Sequence, residues 1–272
     1  MNEAINALLA TDLDGTLLNS KSRISHVNVE AIRKAKEFGI ATIPATARSP
    51  RSTSELAEIA QLGPIAICAN GAIGWDLENK EEIWHSLIPA GDALNLVEQI
   101  RIMAPKVRFA REYGLSFTPE SGFFPDGSEY LNINEAVQTI NEEQLEQGAT
   151  KILMRPIGIG QMELARLIAD SSPGRFSITF GSIDWVEVMV HGVTKATGLV
   201  RATASLGIRP QMVAAIGDHL NDVEMLQKAE VGAAVKNAHA DLIAVADVVV
   251  PSNDENGVAH FLGRIMRGDF LA

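Results

Sequence analysis

The chain has 272 residues, 46% of them hydrophobic, which is enough to bury a substantial core and to divide into a main domain and a smaller one. Thirty-four acidic against twenty-three basic side chains leave a formal charge of -11, which argues against a nucleic-acid backbone as main partner and asks for a locally positive pocket around any anionic substrate. A single cysteine, Cys68, excludes an intramolecular disulfide and a cysteine-rich zinc site, and its apolar setting reads as an ordinary buried thiol.

In chain order, an apolar strand over residues 5–11 comes first, without a basic n-region, an apolar h-region or a long apolar span. The expectation is a cytoplasmic protein with no membrane association. A helix over 26–38 follows, marked by Val29, Ile32, Ala35 and Phe38 at helical spacing and closed by Gly39. Residues 40–46 read as a strand, 52–60 as a helix and 65–69 as a third strand, a βαβαβ run whose short turns favour a parallel sheet.

The rhythm then changes. Residues 83–88, 107–111, 152–155, 176–180 and 186–190 read as strands with helical segments among them, and 116–128, rich in Gly, Pro and Ser, reads as a loop. After His191-Gly192 the α/β alternation returns, with helices over 195–206, 220–228 and 257–266 and strands over 212–216, near Val231 and over 248–250. The predicted fold class is α/β: a Rossmann-like parallel-sheet core, residues 1–83 and 190–272, interrupted by an inserted α+β cap domain, residues 84–189, that acts as a lid.

Chemistry-bearing residues gather at strand ends. Asp12-Leu13-Asp14-Gly15-Thr16 places two carboxylates on one side of an extended segment, with Leu13 turned away and Gly15 allowing a sharp turn. A bound Mg²⁺ would hold Asp12 ionised beside its neighbour while Asp14 shuttles a proton; the plainer alternative is an Asx turn at a strand end. Gly217-Asp218-His219-Leu220-Asn221-Asp222 repeats the pattern beyond another apolar strand. Ligands of open α/β sheets collect at the carboxyl ends of the strands, so the two clusters can meet at one Mg²⁺ site, although Asp218 or Asn221 also suits a helix cap. Thr46 offers a hydroxyl and Lys195 a point charge to phosphoryl oxygens; singly, each also reads as an unremarkable surface or strand-end residue.

This ordering closely resembles the haloacid dehalogenase-like hydrolases, specifically the Cof-type group with an inserted type IIB α+β cap. The resemblance rests on Asp12-Leu13-Asp14-Gly15-Thr16, Thr46, Lys195 and Gly217 to Asp222, with Asn70-Gly71-Ala72 and Asn253 to Val258 extending it over nearly the whole chain. It implies that Asp12 attacks phosphorus and that Asp14 protonates the leaving alcohol, then activates water against an aspartyl-phosphate. It also implies Mg²⁺ held by the carboxylate of Asp12, the backbone carbonyl of Asp14 and Asp218, supported by Asn221 and Asp222, with Thr46 and Lys195 on the phosphoryl oxygens. Ala47 and Lys236 stand where relatives often have glycine.

The expected partner is a small phosphorylated metabolite, with sugar phosphates leading, and the chain as monomer or homodimer. Candidate specificity residues are Arg48, Arg108, Arg111 and Arg155; Trp84, Phe123, Phe124 and Trp185 offer aromatic faces, and His191 and His219 read as rim residues. A sugar phosphomutase built on the same nucleophile and a non-catalytic phosphometabolite-binding protein are the competing readings.

Overall fold

The computed structural model describes residues 5–125, 136–180, 185–207 and 212–270. Its contacts divide the chain into two compact units, one formed by Met1–Trp84 with Thr194–Ala272 and the other by His85–Val193.

The first unit is built on a parallel sheet of five strands: β1 (Ala7–Thr11), β2 (Ile40–Pro44), β11 (Met212–Gly217), β12 (Val231–Val235) and β13 (Val248–Val250), in the order β13-β12-β11-β1-β2. The central strand β1 runs in register with both neighbours, Thr11 lying beside Ile216 and Pro44. Its five residues are all buried, as expected of a strand covered on both faces.

Alternation along β1 sorts the core into two layers. Ala7 and Leu9 join Ile32, Ala57 and Phe261 under helices α1 (His26–Glu37), α2 (Pro50–Ala60) and α9 (Gly257–Met266). Leu8 and Ala10 join Leu199, Ala202, Met225 and Leu242 under α6 (Lys195–Ser205), α7 (Val223–Lys228) and α8 (Ala240–Ile243). The doubly wound arrangement therefore follows from strand periodicity alone, and it aligns the ends of β1, β2 and β11 at one edge.

Four readings of the sequence are corrected here. The strand β3 (Ile65–Cys68) touches the parallel sheet through one parallel bridge, Ala45 to Ile67, and otherwise pairs antiparallel with β4 (Ile73–Asp76) in a separate sheet of order β3-β4-β5. The expected strand at 83–88 is β5 (Glu81–His85), and it belongs to that sheet, because Ile88 to Pro89 already leads into the next helix. The expected helix over 220–228 opens as a 3₁₀ turn, Leu220–Asp222, before α7. Part of the expected 116–128 loop is a strand, β7 (Ser116–Pro119), paired antiparallel with β6 (Arg108–Tyr113); residues 126–128 lie outside the described residues.

The second unit is an antiparallel sheet of order β7-β6-β8-β10-β9, in which β8 is Lys151–Arg155, β9 Phe176–Phe180 and β10 Val186–Val190. One face carries Phe109, Ile152, Met154, Val186 and Val188. Those residues pack on Leu96, Val97 and Ile100 of α3 (Ala90–Met103), Leu145 of α4 (Glu142–Leu145) and Leu164 and Ile168 of α5 (Gln161–Ser171). The opposite face carries a smaller cluster of Ala110, Leu153, Phe123 and Trp185.

Candidate active site

At the carboxyl edge of the parallel sheet the backbone is tied strand to strand. The Asp12 amide donates to the Ile216 carbonyl at 3.0 Å, and the Ala45 amide to the Thr11 carbonyl at 2.8 Å. Asp12, Thr46 and Asp218 thus leave three adjacent strands at one level, the edge at which open α/β sheets bind ligands.

Lys195 links the clusters. Its Nζ donates to Asp12 Oδ1 at 2.6 Å and to Asp222 Oδ1 at 2.7 Å, and the three side chains are almost entirely buried. Lys195 is the first residue of α6. Its position is fixed by a capping box in which Thr194 accepts from the Thr197 amide and the Thr197 hydroxyl lies 3.0 Å from the Thr194 amide that donates to it. Burial favours the neutral amine, yet the facing charges of Asp12 and Asp222 outweigh it and lift the Lys195 ammonium above its ordinary value.

The same burial acts on the carboxylates in the opposite sense. Burial holds the Asp12 carboxyl well above the usual carboxylate range despite the pull of Lys195, and the charges of Asp222 and Asp218 add to it. Asp218 is raised too, first by burial and then by Asp222, while its hydrogen bond from the Thr16 hydroxyl at 3.2 Å works against the rise.

Oxygen ligands of Asp12, Asp218 and Asp222 all lie within 4.8 Å of one another. A set made only of carboxylates suits a hard divalent cation better than a softer one. Within it Asp222 is already engaged: Oδ1 accepts from Lys195, and Oδ2 accepts from the amides of Asp218 and His219, each at 3.1 Å. Asp12 and Asp218 are therefore the pair best placed to hold an ion, with Asp222 fixing Lys195 and the 218–219 backbone. Gly15, at φ +80°, passes directly against Asp218, and an added Cβ would collide with Oδ2.

The remaining residues singled out in the sequence fall in different places. Thr46 is buried and its Oγ1 accepts from the Arg48 amide at 3.1 Å, so its own hydrogen is directed elsewhere. Asp14 is half exposed and sits in the fork of Arg48, at 2.7 Å from Nε and 2.6 Å from Nη2. Asn221 donates from Nδ2 to Asn70 Oδ1 at 3.0 Å.

The three arginines of the second unit do not form one group. Arg108 and Arg155 are direct cross-strand partners, whereas Arg111 alternates to the side of the sheet that Phe109 buries under the helices. There Arg111 donates to the Gly148 carbonyl at 2.7 Å and lies over the Tyr113 ring, and burial lowers its pKa. Arg155 donates to the Phe123 carbonyl at 3.1 Å, and Arg108 to the Val107 carbonyl at 3.2 Å. Phe123, Phe124 and Trp185 pack on one another, while Trp84 in the first unit donates from its indole to the Gly71 carbonyl at 3.1 Å.

Three contributors had no role assigned from the sequence: Thr16, which holds Asp218, Asn70, which holds Asn221, and Asn237, whose Nδ2 donates to the Gly15 carbonyl at 2.8 Å. Asn70 carried a usable signal, since Asn-Gly is a pair that tolerates the left-handed region, and both residues adopt it at φ 53° and 101°. Gly71 is needed there for a second reason, because an added Cβ would strike the carbonyl of Thr194, the cap of the helix that carries Lys195.

Such a site, at the edge of a Rossmann-like sheet interrupted by an antiparallel module, defines a class of hydrolase. The family model of haloacid dehalogenase-like hydrolases matches residues 9–262, and the chain belongs to that family. It is 30% identical over 252 residues to the 5-amino-6-(5-phospho-D-ribitylamino)uracil phosphatase YcsE of Bacillus subtilis, covering 93% of this chain and 92% of the relative. It is 25% identical to the pyridoxal phosphate phosphatase YbhA of Escherichia coli, over 94% and 97% of the two chains. A crystal structure of a haloacid dehalogenase-like hydrolase from Bacteroides thetaiotaomicron superposes with a TM-score of 0.79 at 26% identity, covering 95% of this chain and 98% of that one.

Proposed function

We propose that the protein hydrolyses small phosphate monoesters in a Mg²⁺-dependent reaction, with Asp12 as nucleophile and sugar phosphates as the leading substrate class. The observation that carries this reading is the buried arrangement of Asp12 with Lys195 at 2.6 Å beside Asp218 and Asp222. A purely structural salt bridge gains nothing from a third carboxylate, whereas a nucleophile for an anionic phosphoryl group needs a cation beside it.

Asp12 attacks phosphorus, and the bond to the ester oxygen breaks as Asp14 delivers a proton to the leaving alkoxide. The Lys195 ammonium and the Thr46 hydroxyl stabilise the phosphoryl oxygens as charge moves onto them. When bound at Asp12 and Asp218, Mg²⁺ supplies positive charge next to the nucleophile and the phosphoryl oxygens. Water then attacks the aspartyl-phosphate, with Asp14 taking its proton. The relatives support a small phosphorylated metabolite as substrate: one is named for the phosphate ester of a ribityl chain, the other for pyridoxal phosphate. The second unit, His85–Val193, with its aromatic cluster and the Arg108–Arg155 pair, is the segment we assign to leaving-group selection, and the first unit, Met1–Trp84 with Thr194–Ala272, to the phosphoryl chemistry.

The test is phosphate release from a panel of sugar, polyol, nucleotide and cofactor phosphates, compared by kcat/KM with Mg²⁺ and with chelator. Turnover should require the metal and fall by at least roughly 10³-fold in D12N, with folding preserved. Normal turnover by D12N, or isomerised sugar phosphate in place of released phosphate, is incompatible with the proposed hydrolase.

A further inference from the structure

The clasp between Arg48 and Asp14 is an ionic contact at this edge that holds the proposed acid–base residue itself. Both oxygens of Asp14 accept from the same guanidinium, Oδ2 from Nε at 2.7 Å and Oδ1 from Nη2 at 2.6 Å. Arg48 is anchored at its root: its amide donates to Thr46 Oγ1, and its carbonyl accepts from the Ala69 amide at 2.8 Å. It stands immediately before Ser49, the N-cap of α2, and Pro50, the first residue of that helix. Asp14, in contrast, is half exposed on the turn that Gly15 makes at positive φ. An exposed carboxylate on such a turn samples several rotamers unless something holds it.

The two half-reactions ask different things of Asp14. To protonate the leaving alkoxide it must carry a hydrogen on one oxygen, and that oxygen then has no use for a second donor from a rigid fork. To take a proton from water it must be an unprotonated carboxylate with a lone pair free toward the water, and each oxygen keeps a second lone pair when one is used by the fork. The bidentate clasp therefore matches the base and not the acid. We propose that Arg48 is a positioning residue for the second half-reaction: it orients Asp14 as the base that activates water, and one arm opens when Asp14 serves as acid. This rests on the hydrolase reading above. In the step it serves, the water oxygen bonds to phosphorus, the bond from phosphorus to the Asp12 oxygen breaks with its electron pair returning to Asp12, and the water proton passes to Asp14. Inorganic phosphate leaves, and the proton on Asp14 is the one given to the next leaving alkoxide.

The half-reactions separate with p-nitrophenyl phosphate in the presence of Mg²⁺, because p-nitrophenolate leaves without a proton. In R48A the pre-steady-state burst of p-nitrophenolate should keep its rate within about twofold of wild type, since Asp12 is untouched. Steady-state turnover should fall roughly 10–100-fold, the cost of a misplaced base, and acid-quenched samples should show more phosphorylated enzyme than wild type. R48K, a charge without a fork, should fall between the two. A burst slowed as much as turnover would assign Arg48 to phosphate binding or to the fold and overturn the proposal, as would unchanged turnover. A wild-type protein that forms no phosphoenzyme and releases no phosphate from any ester would instead remove the hydrolase reading on which the role depends.

Discussion

Three carboxylates against one ammonium leave the buried cluster of Asp12, Asp218, Asp222 and Lys195 with an excess of negative charge. Protein interiors tolerate such an excess poorly, and a divalent cation relieves it without disturbing Lys195. With Mg²⁺ at 100 times its Kd the wild-type protein should therefore gain about 2.7 kcal/mol of stability. D218N, which removes one negative charge and one ligand, should unfold no earlier than wild type in chelator and should lose most of that gain. Thermal melts with and without Mg²⁺ check both halves, and an equal Mg²⁺ shift in D218N would exclude Asp218 from the ion. Asp12 and Asp218 were legible as neighbours because each follows an apolar strand of a parallel sheet, so topology alone predicts where both end. Asn70 and Thr16 were not, because their roles are single hydrogen bonds to Asn221 and Asp218 made across turns whose geometry no periodicity encodes. Arg111 shows the opposite limit: its charge marked it as a specificity candidate, and only the register of β6 places it on the helix-packed side of the sheet.

Helix α6 carries Lys195 at its first position, so the cap on that helix is also a support for the site. T194A deletes the hydroxyl that accepts from the Thr197 amide and should cost about 1 kcal/mol in denaturant unfolding. It should also slow turnover more than a comparable cap deletion at Ser25 of α1, whose helix carries none of the site residues. Equal effects on turnover would mean that the cap does not position Lys195. In the second unit the decisive element contact is Lys151 on β8, buried between Glu112 of β6 at 3.1 Å and Glu187 of β10 at 3.2 Å. Burial alone would favour its neutral form, but the two carboxylates prevail and raise its pKa above the ordinary lysine value. K151M removes the ammonium held between two buried carboxylates and should cost about 3–5 kcal/mol, whereas the combined K151M/E112Q/E187Q should recover much of that loss; both are read from chemical denaturation. The strands β6 and β10 lie where strands were expected, over 107–111 and 186–190. The strand β7 did not, because Ser116-Phe117-Thr118-Pro119 is short, polar and closed by proline, the composition of a loop, and only its pairing to β6 makes it a strand.

At the scale of the whole chain the sequence showed two organisations, an α/β rhythm that stops and later resumes, and the structure gives each its own core. The parallel sheet is filled on both faces by residues of the first unit, and the antiparallel sheet packs its own helices through Phe109, Ile152, Met154 and Leu164. No helix among the described residues is long and apolar enough to cross a membrane. Two cores of this kind, each closed by its own contacts, should unfold as separate cooperative units. Calorimetry is expected to resolve two transitions, and Mg²⁺ should raise only the one belonging to the first unit, because Asp12 and Asp218 both lie there. I152A should lower only the other transition, by about 2–5 kcal/mol, since Ile152 is fully buried among Met154, Val186 and the helices that cover them. A single transition that moves with both Mg²⁺ and I152A would show the units to be energetically one. That outcome would also bear on function, because a segment that selects the leaving group can diverge freely only where its substitutions do not propagate into the stability of the phosphoryl-transfer site.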